Sequence, residues 1–345
     1  MMKTQKMRQM KSRKTKNKQK TKISSKISSN ISSNISSKNS SNISYKKKNY
    51  NNKTKKHDYK KFNFKKLRCS PKEKNNFNSF TCYTNDSLYK LRDQWNKKHP
   101  DKLIKTNDPK EIHNKLTFYL SSVCKTESCW LKQNKDFGKI SDDILDSFAP
   151  ESPSEWKTNP NEWLSSIDID KVMKQYKKAY KCFEFIGPSP IDFDKKLSYG
   201  ECVWNELCNF SLANQIKKGK NKIGIIFNTD THNKSGAHWI SLFINIKKKK
   251  ICFFDSVGSK ITPEINKFVD RIKEQGHKLN PKINFKYEDS GGTEHQNGNT
   301  ECGIYSLFFI IHMLQDKTSE SFYKSHIIKD DQIQNYRKIY FNEEL

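Results

Sequence analysis

The chain has no long apolar run. No segment approaches the ~20 consecutive apolar residues of a transmembrane helix, and the lysine-rich start lacks the apolar core of a signal peptide. These two absences argue against a membrane protein and against export through a signal peptide. We expect a soluble protein that has no contact with a membrane.

Regularly spaced cysteine pairs are also lacking. The nine cysteines are odd in number and irregularly spaced, which predicts free thiols in a reducing compartment rather than a disulfide framework. Cys124 and Cys129 have the spacing of half a zinc site, but no second pair with ligand spacing lies near them. We therefore expect neither a metal nor another cofactor.

Acidic residues are almost absent from the first 66 positions. This segment holds 22 Lys and Arg against Asp58 alone, and so contributes +21 of the net charge of +29. Residues 24–37 are a serine-rich repeat with an isolated Ile at every fourth position, which cannot bury enough apolar surface to fold. Residues 1–66 are predicted to be a disordered basic arm. Such a polycation binds nucleic acid non-specifically by releasing counterions; a solvated tail and a nuclear localisation signal are the alternatives.

Residues 67–147 have a globular composition with helical patterns. Leu88, Leu91 and Trp95 are spaced for one face of a helix, with Asp86 or Ser87 as its cap. A second helix is predicted over residues 112–123, with Leu116, Tyr119, Leu120 and Val123 on its apolar side. These patterns predict a small helical domain.

Residues 148–162 are predicted to be an extended linker because they carry Pro150, Pro153 and Pro160. Residues 163–345 then mix strand and helix patterns. Strands are predicted at 182–186, 222–228, 237–246, 250–255 and 282–288, and helices at 169–180, 201–216, 262–272 and 307–314. This mixture predicts an α+β domain over residues 163–345.

The helix over residues 307–314 is apolar almost all round, which is typical of a helix enclosed by a core. Cys302 stands at its start, where the helix dipole and unpaired backbone N–H groups stabilise a thiolate. Gln296 precedes it by six residues, across a Gly-Asn turn, and is placed to form an oxyanion hole with the Cys302 backbone N–H. The alternative is that Cys302 is an inert, buried thiol.

A thiolate nucleophile needs a base, and the base needs a group that orients it. Residues 237–246 and 250–255 read as two strands joined by a lysine-rich turn. An antiparallel hairpin that turns near residues 246 and 247 places His238 opposite Asp255, with Cβ atoms about 5 Å apart and a slip of one or two residues allowed. His295 is the competing base, but the mobile loop predicted to contain it would hold its side chain poorly.

The order His-Trp at 238, Asp-Ser at 255 and Gln-x5-Cys-Gly-Ile from 296 resembles the cysteine peptidases of the ubiquitin-like-protein protease and adenain group. That group includes the SUMO proteases, the adenovirus proteinase and thiol proteases of large DNA viruses. The resemblance covers about residues 155–315. It implies a papain-like, adenain-like α+β core, in which the nucleophile helix packs into a central mixed sheet. The helical block before residue 148 is similar to one that precedes the peptidase in viral members.

The resemblance also implies the roles of individual residues. His238 is the general base, Asp255 orients it, Cys302 is the nucleophile and Gln296 is the oxyanion donor. Glu301 stands where cellular members usually carry Asp, which is closer to the viral enzymes.

Two tryptophans are assigned to substrate binding by the same resemblance. Trp239 matches an aromatic residue that flanks the channel for a Gly-Gly or Gly-X tail. Trp163 matches the segment that places a second aromatic over that tail, and a core or inter-domain role is its alternative.

The resemblance implies a cysteine-type peptidase that cleaves a polypeptide after Gly-Gly or Gly-X. We expect it to process viral structural polyproteins during virion maturation, in the virion core, with the basic arm bound to DNA. The alternative is an isopeptidase of the nucleus or cytoplasm that removes SUMO or another ubiquitin-like protein. A third hypothesis is a nucleic-acid-binding or structural particle protein with a vestigial site, against which the intact set of four residues argues.

Overall fold

The computed structural model of the chain describes residues 69–72 and 78–343. The predicted basic arm, residues 1–66, lies outside the described residues, so this prediction is not tested by the structure. All described residues fall within one compact unit, 61–345. The boundaries predicted for a helical domain, a linker and a peptidase domain stay predictions.

The N-terminal part of the described chain is helical. It contains α1 (Asn85–Lys98), α2 (Pro109–Leu120), a 3₁₀ helix (Glu127–Lys132), α3 (Asn134–Phe137) and α4 (Asp142–Leu145). Leu88, Leu91 and Trp95 are buried on one face of α1, as predicted, and they join a hydrophobic cluster that these helices share. Burial of this shared apolar face stabilises helices that are too short to be stable alone.

Two local predictions in this segment are wrong. The N-cap of α1 is Thr84, whose Oγ1 accepts a hydrogen bond from the Ser87 N–H at 3.0 Å, so neither Asp86 nor Ser87 is the cap. The second helix ends at Leu120. Val123, predicted on its apolar face, lies beyond that end with 60% of its surface exposed.

The expectation of unpaired cysteines is also wrong. Six of the nine cysteines form disulfides: Cys69–Cys82, Cys124–Cys129 and Cys202–Cys208. The two members of each pair lie 5 to 13 residues apart in the chain, so local turns bring them together without a regular spacing in the sequence. The free thiols of the described region belong to Cys182, Cys252 and Cys302.

The predicted linker is not a simple extended connection. It contains a 3₁₀ turn, Ser154–Lys157, and Trp156 is buried against Phe341, with ring centroids 5.1 Å apart. The Ser152 N–H donates to the Asn342 carbonyl at 3.1 Å. This segment therefore packs on the C-terminal end of the chain, because its tryptophan has an apolar partner there.

A five-stranded mixed sheet forms the centre of the remaining chain, as the resemblance implies. Its strands, in spatial order, are β1 (Phe183–Pro190), β2 (Lys222–Asn228), β3 (Trp239–Asn245), β4 (Lys250–Phe254) and β5 (Lys286–Asp289). β1 and β2 are parallel, as are β4 and β5, whereas β3 is antiparallel to both of its neighbours. Every residue of β3 is buried, so this strand lies at the middle of the core.

Helices cover both faces of the sheet. In chain order they are α5 (Ser166–Ala179), α6 (Asn205–Cys208), α7 (Leu212–Lys217), α8 (Pro263–Lys278), α9 (Cys302–Leu314), α10 (Phe322–Ser325), α11 (Asp330–Gln334) and α12 (Arg337–Tyr340). Helices α5 and α9 pack on one face and α8 on the other. All 13 residues of α9 are buried, which confirms the expectation of a core helix. Within residues 69–72 and 78–343, no helix has the length and apolar character that a membrane span needs.

Several element boundaries differ from the predicted ones. β1 continues to Pro190, the helix predicted over residues 201–216 is divided into α6 and α7, and β5 starts at Lys286. Helix α8 continues past the predicted end at residue 272 and includes Gly276. The Ile283 N–H donates to the Gly276 carbonyl at 2.9 Å, and a Cβ at 276 would lie 2.6 Å from the Ile283 oxygen. A glycine is thus needed here because the backbone at Ile283 packs closely against α8, and not because the helix ends at this position.

Candidate active site

Cys302 is the first residue of α9 and is only 2% exposed. The preceding residue, Glu301, makes no capping hydrogen bond to the helix with its side chain. The first N–H groups of α9 therefore have no side-chain cap, and the positive end of the helix dipole lies at Cys302. The uncapped N–H groups and the helix dipole both stabilise an anion at this position.

His238 immediately precedes β3 and Asp255 immediately follows β4. The Nε2 atom of His238 and the Oδ1 atom of Asp255 are 2.6 Å apart. Asp255 is buried, and its Oδ1 also accepts the Val257 N–H at 3.0 Å. The Asp255 backbone N–H donates to Ser290 Oγ at 3.2 Å. The carboxylate is therefore held firmly enough to orient the imidazole.

The register of the β3–β4 hairpin differs by two residues from the predicted one. Ser241 pairs with Phe254, so an extension of this ladder places Asp255 opposite Ile240 rather than opposite His238. His238 and Asp255 are thus diagonal neighbours, a spacing of about 7–8 Å that long side chains span. The predicted contact between the side chains forms, although the predicted backbone pairing does not.

The surroundings of His238 set its protonation state. Burial lowers the pKa of His238, but hydrogen bonds with Asp255 and Cys302 outweigh burial and raise the pKa to about 9. Because Nε2 bonds Asp255, Nδ1 is the ring nitrogen left to interact with Cys302. At neutral pH the imidazole is protonated, and its positive charge lies beside the sulfur.

Gln296 is held by the residue that follows Asp255. Ser256 Oγ donates to Gln296 Oε1 at 2.7 Å, and the Gln296 backbone N–H donates to the Ser256 carbonyl at 2.8 Å. The Gln296 Nε2 group donates one hydrogen to the Gly298 carbonyl at 3.2 Å. Since a side-chain amide has two N–H donors, the second remains for a ligand. Ser256 is part of the Asp-Ser pair in the sequence, but its role in orienting the amide becomes apparent only in the structure.

Asp330, at the start of α11, holds the loop that contains Gln296. Its Oδ2 accepts the backbone N–H groups of Asn297 and Gly298 at 3.0 and 2.7 Å. Its Oδ1 accepts the Tyr305 hydroxyl at 2.9 Å, which links the loop to α9. Sequence reasoning missed Asp330, because its loop partners lie 32 and 33 residues away and no local pattern marks it.

Arg337 was also missed by sequence reasoning. Its buried guanidinium donates to the Glu162 carbonyl at 2.7 Å and to the Thr300 carbonyl at 3.2 Å. Burial lowers its pKa to about 10, against the effect of neighbouring groups that include Glu301 and Cys302, so it stays charged at neutral pH. Arg337 therefore joins the chain just before Trp163 to the chain just before Cys302.

His295 differs from its predicted surroundings. His295 is fully buried rather than on a mobile loop, and its Nδ1 accepts the Ile328 N–H at 3.1 Å. Burial lowers its pKa. His232 is exposed, and its Nδ1 bonds Asp192 Oδ2 at 2.7 Å.

A groove of about 590 Å³ is lined by both tryptophans that the resemblance assigns to substrate binding. Trp239 directly follows His238, is 7% exposed, and donates its indole N–H to the Leu164 carbonyl at 3.0 Å. Trp163 is half-buried. The groove therefore contains both tryptophans, and one of them directly follows His238 in the chain.

Comparison with known proteins agrees with this arrangement. The model of the Ulp1 protease family, C-terminal catalytic domain, matches residues 168–345. A thiol protease of Acanthamoeba polyphaga mimivirus is 31% identical over 224 residues, which are 64% of this chain and 69% of that protein. A SUMO-1 cysteine protease of African swine fever virus is 25% identical over 248 residues, 66% of this chain and 88% of that protein.

The fold is similar to a crystal structure of an African swine fever virus protease. The TM-score is 0.58 at 20% identity, and the match covers 80% of this chain and 95% of that one. The likeness therefore reaches beyond the catalytic domain. Together with the family match, it confirms the resemblance read from the motifs. The chain belongs to the Ulp1 protease family and is a cysteine-type peptidase.

Proposed function

We propose that the protein is an endopeptidase that cleaves polypeptides after Gly-Gly or Gly-X, with Cys302 as the nucleophile and His238 as the base. The observation that carries this proposal is the 2.6 Å bond between His238 and the buried carboxylate of Asp255, with Cys302 among the groups that raise the pKa of His238. A base held between an orienting carboxylate and a thiol is the arrangement that nucleophilic acyl transfer requires.

The reaction runs in two halves. The Cys302 thiol proton passes to His238, which gives the protonated form of the imidazole present at neutral pH, and the sulfur then attacks the carbonyl carbon of the scissile bond. As the C–N bond breaks, His238 returns the proton to the leaving amine, and an acyl-enzyme remains. A water molecule then gives a proton to His238 and attacks the acyl carbon, which releases the carboxylic acid product and the thiol. Asp255 orients the imidazole and stabilises its positive charge throughout.

Gln296 acts in this mechanism as an oxyanion donor together with the Cys302 backbone N–H. Its amide is oriented before substrate arrives, because Ser256 donates to Oε1 and leaves Nε2 as the donor end. Donors that are already oriented stabilise the charge that develops on the tetrahedral intermediate without a reorganisation cost.

The groove accounts for a glycine requirement. Trp163 and Trp239 both line it, and a channel between two large aromatic side chains favours a backbone without side chains. A substrate with Gly at the two positions before the scissile bond fits such a channel, whereas a larger residue at the second position is excluded.

The decisive experiment replaces Cys302 and measures cleavage of a Gly-Gly-Ala peptide. Cys302→Ala and Cys302→Ser should both lose activity by at least about a thousandfold, because the nucleophile and its pair with His238 act as a unit. The matched control is Cys182→Ala, which removes a free, half-buried cysteine elsewhere and should cleave at the wild-type rate. Wild-type activity in either Cys302 variant would overturn the proposal.

The substrates are inferred to be viral structural polyproteins that are cut during virion maturation in the virion core. The similarity to proteases of two large viruses favours this inference. Removal of SUMO or another ubiquitin-like protein is the second candidate, since one of those relatives is named a SUMO-1 cysteine protease. Incubation with a SUMO or ubiquitin fusion beside a short Gly-Gly-Ala peptide separates the two. Cleavage of the fusion alone would favour the second.

A further inference from the structure

The groove beside the proposed site extends well past its two tryptophan walls. Besides Trp163 and Trp239, it is lined by Pro190, Val203 and Trp204. These three residues lie outside the catalytic group and outside the channel for glycine. Because β2 separates Pro190 of β1 from Trp239 of β3, we take these residues as the end of the groove away from His238.

The sheet gives the length of this extension. Trp239 pairs with Asn228 of β2, and Asn228 pairs with Pro190 of β1. Adjacent strands lie about 4.8 Å apart, so the groove crosses about 10 Å from Trp239 to Pro190. An extended peptide advances about 3.3 Å per residue. We place the second residue before the scissile bond beside Trp239. The residue that reaches the far end of the groove is then roughly the fifth before that bond.

Trp204 is suited to receive a side chain at this end. It is half-buried, and it packs with one part of its ring on the hydrophobic cluster under the sheet. Within the described part of the chain its indole N–H has no acceptor, whereas that of Trp239 is bonded to the Leu164 carbonyl. Tryptophan that offers an apolar face and a free N–H is typical of a recognition anchor.

The backbone around Trp204 is held in place. The Trp204 N–H donates to the Phe193 carbonyl at 3.1 Å, and the Cys208 N–H donates to the Trp204 carbonyl at 3.0 Å. The disulfide Cys202–Cys208 closes the same short segment. A wall fixed in this way discriminates between side chains better than a mobile loop does.

The carboxylates that line or border the groove are already paired. Asp192 bonds His232 at 2.7 Å, and Asp230 lies 3.9 Å from the Lys234 ammonium. Neither carboxylate is therefore free to attract a basic substrate residue. The surface left at the far end is that of Val203 and Trp204, which is apolar.

We propose that Trp204 and Val203 form a subsite for a large apolar or aromatic side chain about five residues before the scissile bond. This proposal rests on the proposed function, which supplies the direction of the substrate in the groove. It adds a sequence requirement to the Gly-Gly site and restricts the substrates to polypeptides that carry such a residue upstream.

The test uses a series of peptides with one Gly-Gly-Ala site and Phe, Ala or Glu placed in turn three to seven residues before the cleaved bond. The wild-type chain should cleave the Phe peptide with a kcat/KM about tenfold above the Ala peptide, with the largest effect near the fifth position. Trp204→Ala should lose this preference, so that its kcat/KM values for the Phe and Ala peptides become equal. Equal rates for all wild-type peptides, or an unchanged preference in Trp204→Ala, would overturn the subsite.

Two further variants keep the test clear of folding effects. Val203→Lys places a positive charge at the subsite and should reverse the preference from Phe to Glu, which a merely destabilised protein does not do. Tyr199→Ala is the matched control, because Tyr199 is an aromatic residue five positions from Trp204, is 70% exposed and does not line the groove. It should retain the Phe preference.

A binding measurement separates this proposal from the catalytic one. Product-like peptides that end in Gly-Gly are titrated against Cys302→Ala, with Phe or Ala at the upstream position. If the wild type cleaves no peptide but the Phe peptide binds about tenfold more tightly, the proposed reaction is wrong and the subsite stands. If cleavage occurs and both peptides bind equally, the subsite is wrong and the reaction stands.

Discussion

His238 gains its chemical character from three neighbouring features. It is largely buried, it bonds Asp255 through Nε2, and it interacts with Cys302. Burial alone would lower its pKa, as it does at His295, but the two partners raise the pKa of His238 to about 9. Two histidines of one chain therefore have opposite shifts, because only one of them has a carboxylate partner.

This shift predicts the alkaline limit of activity. The imidazole is protonated below its pKa of about 9 and loses its proton above it, so kcat/KM should fall as the pH rises through about 9. Asp255→Asn removes the carboxylate charge that raises this pKa, and the alkaline limb should move from about 9 towards the ordinary histidine value of ~6.5. Its activity at the optimum should fall by about tenfold to a hundredfold, less than the loss on removal of Cys302. A pH profile of kcat/KM checks this, and an alkaline limb at the same pH in both proteins would contradict it.

At the scale of the elements, the position of α9 on the sheet depends on the absence of a side chain at Gly224. A Cβ added at this residue of β2 would lie 2.7 Å from Ile310 Cγ2 of α9 and 3.1 Å from the Phe183 ring of β1. Cys302 is at the N-terminus of the same helix. The closeness of the helix to the strands therefore contributes to the position of the sulfur relative to His238.

Gly224→Ala should lower the free energy of unfolding by about 1–3 kcal/mol, the usual cost of overpacking a core. The cost should be smaller in an Ile310→Leu background, because leucine has no methyl group branching at Cβ and so lacks the contacting Cγ2 atom. Denaturant unfolding of the four proteins in this cycle measures the coupling. Equal costs in both backgrounds would show that Ile310 is not the group that Gly224 accommodates.

The loop before α9 depends on a more distant element. Asp330 of α11 bonds the backbone of Asn297 and Gly298, and Gly298 in turn accepts a hydrogen bond from Gln296. Gln296, the proposed oxyanion donor, is thus held directly by Ser256 and, through Gly298, by Asp330 of the C-terminal segment. A helix of only five residues has this effect because its first carboxylate points at two backbone N–H groups.

Asp330→Ala should reduce kcat by about tenfold with little change in KM. The variant loosens the Gln296 donor but does not remove it, and removal of an oxyanion donor lowers kcat by about a hundredfold or more. A peptide aldehyde that ends in Gly-Gly forms the oxyanion with Cys302, so its affinity should fall by the same factor as kcat/KM. Asp331→Ala is the control, because the adjacent carboxylate is exposed and does not contact the loop. Loss of substrate affinity with unchanged kcat would contradict a positioning role.

At the scale of the whole molecule, most of the net positive charge lies in a part of the sequence that precedes the residues of the proposed site. Residues 1–66 contribute +21 of +29, and the proposed site and groove lie between residues 163 and 337. We propose that the arm binds DNA or RNA through its charge, without sequence preference. This would hold the peptidase near a nucleic-acid-containing core during maturation.

Deletion of residues 1–66 should abolish DNA binding that weakens with salt and should leave peptide cleavage unchanged. Each contact between the arm and a phosphate releases counterions from the DNA. The affinity of the full chain should therefore depend steeply on salt, and that of the shortened chain almost not at all. Binding assays between about 50 and 200 mM salt, with a Gly-Gly-Ala cleavage assay in parallel, check both statements. Unchanged DNA binding after the deletion would assign the interaction to another surface.

The sequence by itself determined the fold class, the family and the identities of the residues proposed for catalysis. These depend on local patterns. The patterns are strand and helix periodicity, an apolar helix behind Cys302, and the short motifs that contain His238, Asp255 and Gln296. Such patterns are short in range, and the chain retains them before it folds.

Only the tertiary structure decided how these residues meet. Four features had no reliable signal in the sequence. They are the hairpin register, the three disulfides, the glycine inside α8, and the bonds of Asp330 and Arg337 to the loop before Cys302. Each of them depends on which surfaces approach one another after the chain has closed on itself. The approach is decided by packing across the whole core, in which residues more than 30 positions apart become neighbours.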